Sequence, residues 1–216
     1  MIEACIFDLD GVITDTAEYH YLGWKRMADE AGLQFNREIN EQLRGVSRRS
    51  SLNIILQYNN KELSEVRIHE LMEKKNKYYK LSLEMITETD FLPGIKSFLH
   101  KVRESGIKTA IASASKNAEK VIDNLKANDL FELIADGYSV KNTKPAPDLF
   151  LFAAEKLHVN PSGSVVFEDA QAGIEAALSG GFFSVGIGPE ERVGQAHLRY
   201  ERTQDIQLDE VLTLFS

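Results

Sequence analysis

A single cysteine, Cys5, is all the thiol chemistry in the chain. That excludes a disulfide framework and any zinc site built from several cysteines, and it fits a reducing compartment. No apolar run approaches the ~20 residues needed to cross a bilayer. The opening Met-Ile-Glu-Ala-Cys-Ile-Phe has no basic stretch ahead of its apolar residues, so neither a membrane partner nor a secretory leader is expected. The expected location is the cytoplasm and the expected working unit a monomer. Five prolines and fourteen glycines in 216 residues are too few for a collagen-like or low-complexity chain. Basic residues are also short: 25 Lys and Arg face 33 Asp and Glu, for a net charge of −8. Nucleic-acid binding through a broad positive field is therefore excluded. An acidic chain can still hold phosphate where a few cations, a metal ion or backbone N–H groups are concentrated.

What is present is a sequence 43% hydrophobic and 27% charged, long enough for one large domain or two small ones. Ala4 to Phe7 is a short apolar run that stops at Asp8-Leu9-Asp10-Gly11-Val12, the pattern of a buried strand ending in an acidic loop. Further apolar runs follow much later, at Ile107 to Ala112, Leu133 to Ala135, Ser164 to Phe167 and Phe182 to Ile187. Between them lie helix-like stretches such as Pro93 to Ser105 and Ala118 to Ala127. Strands alternating with helices imply a parallel sheet covered on both faces, hence an α/β fold. Residues 15–88 differ, with no good strand and with apolar positions three and four apart, as in Tyr19, Leu22, Met27 and Ala31. The expected architecture is an α/β domain of residues 1–14 and 89–216, interrupted after its first strand by a helical domain of residues 15–88. Pro93-Gly94 marks the return, and no fixed-period repeat is present.

Ligands of such sheets lie beyond the carboxyl ends of the strands. The polar residues found there form a set: Asp8 and Asp10 after the first strand, Ser113 after the second, Lys144 in the loop after the third, then Glu168 and Asp169. Carboxylates meeting at one edge repel unless they share a proton or a divalent cation, and Mg²⁺ suits an all-oxygen site that also takes substrate phosphate. Lys144 would neutralise a phosphoryl oxygen and Ser113 would donate to another. Each residue also has a plainer reading. Asp169 and Ser113 can cap the helices that follow them, and Lys144-Pro-x-Pro can be a rigid turn with a solvated lysine. Gly180-Gly181 and Gly186-x-Gly188 lack the strand–glycine–helix context of a dinucleotide site.

Taken in order, Asp8-Leu9-Asp10-Gly11-Val12, Ser113, Lys144-Pro145 and Glu168-Asp169 resemble the four motifs of the haloacid dehalogenase superfamily. The resemblance spans nearly the whole chain and implies a Rossmann-like parallel sheet core with an inserted helical cap. It implies Asp8 as the nucleophile that takes up a phosphoryl group and Asp10 as general acid/base. Ser113 and Lys144 would bind the phosphoryl oxygens, and Asp8, Asp10, Glu168 and Asp169 would make a Mg²⁺ site. The chemistry agrees, since a carboxylate nucleophile splits one phosphoryl transfer into two steps. The longer string from Asp8 through Thr16 to His20, together with Arg44-Gly45-Val46-Ser47-Arg48 and Ser113-Ala114-Ser115-Lys116-Asn117, is similar to the family's sugar phosphomutases. That implies interconversion of β-glucose 1-phosphate and glucose 6-phosphate through an aspartyl phosphate and β-glucose 1,6-bisphosphate, with Thr16 on the substrate side. A bisphosphate needs a second phosphate site, for which Arg48 and Lys116 offer charge and Ser115 and Asn117 neutral donors.

One departure stands out: Arg44 occupies a position where the phosphomutase pattern has lysine, and a planar guanidinium hydrogen-bonds a sugar differently from an ammonium. His20 resembles the family's cap-hinge histidine, orienting Asp10 or a sugar hydroxyl; a solvated helix histidine is the other reading. Lys75 matches a substrate-contacting cap position, or belongs with Lys74 and Lys77 to a solvated basic face. Trp24 and Tyr78-Tyr79 are expected to pack the cap, and Cys5 to act as a small apolar residue. Two other functions fit the same motifs. One is a sugar-phosphate phosphatase on the same scaffold; the other is a receiver-type signalling domain, which would need no substrate pocket.

Overall fold

In the computed structural model, which describes residues 2–215, the chain folds around one parallel sheet. Strand β1 (Ala4–Phe7) is followed by four helices, α1 (Ala17–Ala31), α2 (Arg37–Glu41), α3 (Arg48–Tyr58) and α4 (Glu65–Leu83). Alternation then sets in: α5 (Ile95–Glu104), β2 (Lys108–Ala112), α6 (Ala118–Asn124), β3 (Leu133–Ala135), α7 (Asp148–Leu157), β4 (Ser164–Glu168), α8 (Gln171–Ser179) and β5 (Phe183–Ile187). A short α9 (Glu190–Val193), β6 (Leu198–Tyr200) and α10 (Leu208–Leu212) complete it. The strand order is β3-β2-β1-β4-β5-β6, every neighbouring pair parallel. Five of these strands match the apolar runs of the sequence. The sixth, Leu198-Arg199-Tyr200, does not announce itself, because an exposed arginine between two half-buried residues at an edge forms no apolar run. Among the described residues no helix is long and apolar enough to cross a membrane.

Both faces of the sheet are covered, which is why its strands read as unbroken apolar runs. On one face Phe7 stacks on Phe167 with centroids 4.6 Å apart, and Phe98 from α5 meets Phe167 edge-on at 5.4 Å. On the other, Ile6 and Val166 pack with Leu149 and Phe150 of α7 and Ala176 of α8. The four helices after β1 hold a separate apolar cluster that includes Trp24, Met27, Leu52, Ile55 and Leu71. Ser47 and Ser64 cap α3 and α4, each side chain accepting from the backbone N–H three residues on. The chain enters and leaves this helical block at one point. Leu92 N donates to Ile13 O at 2.8 Å, and the Thr14 hydroxyl donates to Asp90 O at 2.6 Å.

These phenylalanines bind two neighbouring strands, β1 and β4, and α5 into one core, so truncation at their centre leaves a cavity. Phe167→Ala is expected to cost about 3–5 kcal/mol of unfolding free energy, read from the midpoint of urea denaturation. A loss below about 1 kcal/mol would show that the core closes over the gap.

Candidate active site

The carboxyl ends of β1 and β4 deliver the charged centre. Asp8 follows β1 directly, Glu168 closes β4, and Lys144 reaches between them from the loop after β3. The Lys144 ammonium donates to Asp8 Oδ1 and to Glu168 Oε2, the latter at 2.8 Å. All three side chains are essentially buried, at 5% exposure or less, which excludes the solvated lysine. Burial alone would lower the Lys144 pKa, but Asp8 and Glu168 outweigh it and raise it. Glu168 is also anchored through Oε1, which accepts from the N–H groups of Asp169 and Ala170 at 3.1 Å. Gly173 makes room for it: a Cβ there would lie 1.9 Å from Glu168 Oε2. Gly11 does the same for Asp169, with φ of +84° and a Cβ position 2.4 Å from Oδ2.

Asp8, Glu168 and Asp169 each offer an oxygen within 4.8 Å of the others, a group able to hold a cation. Asp169 does not cap α8, whose N-cap is Ala170 with no side-chain bond. Its carboxylate instead takes Arg44 Nη1 at 3.2 Å. Burial first, and then the charge of Asp8, push Glu168 up to about 8 and Asp169 up to about 7. Buried oxygens that repel one another in this way fit a divalent cation. Asp10 departs from the expectation as a metal ligand through its carboxyl: that group is not part of the three-residue cluster. It is engaged by the Thr16 hydroxyl, and Oδ2 lies 3.8 Å from His20 Nε2. Burial, then Asp8 and Asp169, push Asp10 up to about 8.

The helical block supplies the opposite wall. Its α4 carries buried Lys75, whose Nζ sits 2.8 Å from His20 Nδ1 and over the rings of Trp24 and Tyr79. The solvated-face reading of Lys75 is thus overturned, and so is that of His20, whose ring lies 4.0 Å from Tyr79. Burial and then the charges of Lys75 and Arg48 hold the His20 pKa well below its usual value, so the imidazole is neutral. Two packing expectations also change. Tyr79 joins the core of the sheet rather than that of the helical block, and Trp24, while part of the block's core, also faces the pocket.

Asp8, Asp10, His20, Arg44, Arg48, Lys75, Ser113, Ser115, Lys116, Asn117 and Asp169 all line one pocket of about 390 Å³. Thr16, Lys144 and Glu168 stand behind that lining. Ser113 does not cap α6; its hydroxyl accepts from Ser115 N at 3.1 Å. Arg48 Nη2 and Asn117 Nδ2 both donate to Asn76 Oδ1, at 2.8 and 3.1 Å. Asn76 was in no motif, yet it shares the inward face of α4 with Leu71, Lys75, Tyr79 and Leu83. A lysine and an asparagine on that periodic face were the available signal.

Geometry and sequence motifs meet here: the chain belongs to the haloacid dehalogenase-like hydrolase family, which matches residues 5–187. Within it, the chain is 42% identical to the β-phosphoglucomutase of Bacillus subtilis over 210 residues, 96% of this chain and 93% of that one. A crystal structure of β-phosphoglucomutase from Clostridium difficile superposes with a TM-score of 0.96 at 44% identity, covering 100% of this chain and 97% of the other. The phosphorylated carbohydrates phosphatase of Thermotoga maritima is 31% identical, over 99% of this chain and 98% of that protein. Family and pocket together set aside the receiver-type reading.

Because Glu168 and Asp169 must be ionised to ligate, cation binding should release protons and tighten as pH rises through 7 and 8. Mg²⁺ affinity is expected to be at least about tenfold weaker at pH 6 than at pH 8. Calorimetric titration in two buffers of different ionisation enthalpy counts the protons; none released at pH 7 would contradict the shifts.

Proposed function

We propose that this protein catalyses the reaction named for its 42%-identical relative: β-glucose 1-phosphate and glucose 6-phosphate are interconverted through an aspartyl phosphate on Asp8 and β-glucose 1,6-bisphosphate. The observation that carries this reading is a second set of phosphate donors in the same pocket as Asp8. Arg48 comes from the helical block, Lys116 and Asn117 from the sheet side, and none of the three is a partner of Asp8. A phosphatase has no need of such a set; a bisphosphate intermediate does.

In this reading residues 15–88 act as a cap over a catalytic domain of residues 1–14 and 89–216. Asp8 attacks phosphorus, forming an oxygen–phosphorus bond as the bond to the sugar oxygen breaks. Asp10, protonated at neutral pH with a pKa of about 8, gives its proton to the departing oxygen and in the reverse direction takes one from the attacking hydroxyl. The Thr16 hydroxyl holds the Asp10 carboxyl in place, with neutral His20 beside it. Lys144 fixes Asp8 and compensates its charge, while Ser113 and Lys144 are assigned to the transferring phosphoryl oxygens. Asp8, Glu168 and Asp169 would hold Mg²⁺, which when bound neutralises charge on the transferring group. Arg44 and Lys75 face the sugar, and Ser115, Lys116, Asn117 and Arg48 face the second phosphate. The cap keeps water from the aspartyl phosphate. We read the location of the protein as the cytoplasm, in keeping with a single cysteine that is buried and free.

Phosphorus NMR of the protein with Mg²⁺, β-glucose 1-phosphate and a trace of the bisphosphate should show glucose 6-phosphate appearing; inorganic phosphate alone would make the protein a phosphatase. Asp8→Asn should abolish turnover in a chain that still folds, because Glu168 continues to pair with Lys144; an unchanged far-ultraviolet circular dichroism spectrum checks the fold. Asp10→Asn should slow transfer to the sugar by roughly 10²–10⁴-fold, and an unchanged rate would remove Asp10 from acid/base catalysis. Arg48→Ala should raise the ratio of hydrolysis to transfer, because the second phosphate no longer holds the cap closed. Equal loss of both activities would make Arg48 a structural residue instead.

A further inference from the structure

Asn76 joins the two halves of the second donor set. It lies on α4 and is 8% exposed. Its Oδ1 accepts from Arg48 Nη2, which belongs to the helical block, and from Asn117 Nδ2, which belongs to the sheet side. The bond to Asn117 is buried and crosses the seam between the two parts of the molecule. Arg48 turns its other arm to Glu73, one turn earlier on α4, at 3.2 Å. That carboxylate is 56% exposed, so water screens the pair and a doubly charged phosphate can displace it. The bond to Asn76 is of another kind. A buried neutral acceptor orients a guanidinium without cancelling its charge, and leaves its remaining N–H groups free for phosphate oxygens.

We propose that Asn76 is a positioning residue for the second phosphate. Resting on the mutase reading above, it holds the Arg48 guanidinium and the Asn117 amide in register across the seam. A phosphate entering between cap and sheet then meets donors already aimed at it. Asn76 itself touches none of the reacting atoms. Its neutrality matters as much as its shape, because a carboxylate in its place would pair with Arg48 and repel the phosphate.

Two variants test this, Asn76→Leu, which removes the acceptor, and Asn76→Asp, which keeps its shape and adds charge. Calorimetric binding of glucose 6-phosphate is expected to weaken by about tenfold in each, and KM for β-glucose 1-phosphate to rise correspondingly. Phosphorylation of Asp8 by acetyl phosphate, which has no second phosphate, should stay within about twofold of the unsubstituted protein. Thermal melting run alongside identifies any variant that fails to fold, and Asn76→Asp, being isosteric, decides the matter if Asn76→Leu does fail. Unchanged glucose 6-phosphate affinity in folded Asn76→Asp would overturn the proposal, as would equal losses with both phosphoryl donors. Absence of glucose 6-phosphate binding by the unsubstituted chain would overturn the functional reading, and this inference with it.

Discussion

Two carboxylates and one ammonium with almost no access to water, Asp8, Glu168 and Lys144, are the constraint on which the site depends. Charges so buried are tolerated only when paired and fully hydrogen-bonded, and removing one partner of a buried pair typically costs about 3–5 kcal/mol. Here the compensation comes from three places. Lys144 answers both carboxylates, two backbone N–H groups answer the remaining oxygen of Glu168, and Gly173 leaves the space in which Glu168 lies. The same arrangement fixes Asp8 at the carboxyl edge of the central strand. In the proposed reaction, a carboxylate held in this way has little reorganisation left to undergo.

The helical block answers this acidic edge with cations. Arg44 meets Asp169, Lys75 meets His20 beside Asp10, and Arg48 stands at the far side of the pocket. The Arg44–Asp169 pair therefore ties the block to the sheet even though the chain as a whole carries −8. Close packing accompanies it. Gly45 comes so near the Asp169-Ala170 turn that a Cβ at that position would be 2.9 Å from Ala170 Cβ. The loop that bears Arg44 and leads into α3 at Arg48 is thus seated on the turn that bears the acidic pair, so a movement of the block reaches both ends of the pocket.

Much of this was legible in the sequence because parallel sheets reveal themselves twice, by apolar runs buried on both faces and by polar residues left at the carboxyl ends. Asp8, Ser113, Lys144 and Glu168 could be placed at one edge from that pattern alone. Less legible were features that depend on direction. The loop after β1 carries both Asp8 and Asp10, but spacing could not say that only Asp8 would join the acidic cluster while Thr16 took Asp10. Within Glu-Lys-Lys-Asn-Lys the local density of charge left Lys75 open between a substrate contact and a solvated face, and gave no sign that Asn76 shares its inward stripe of α4. Leu198 to Tyr200 was invisible for the opposite reason: an edge strand of three residues has only one neighbour to pair with and little to bury.

The place of β1 in the sheet has a consequence for how the molecule comes to be. Strand β1 is an inner one, paired on one side with β2 from Lys108 onward and on the other with β4 from Ser164 onward. Its apolar side chains therefore wait for neighbours that lie far along the chain, first β2 at Lys108 and then β4 at Ser164. The helical block, whose apolar cluster lies within residues 24–71, can collapse meanwhile on contacts that are local in sequence. By closing at Ile13 and Leu92 it brings the end of β1 close to the start of α5. An insertion that interrupts the sheet in sequence thereby shortens, in space, the loop that the sheet must close to form.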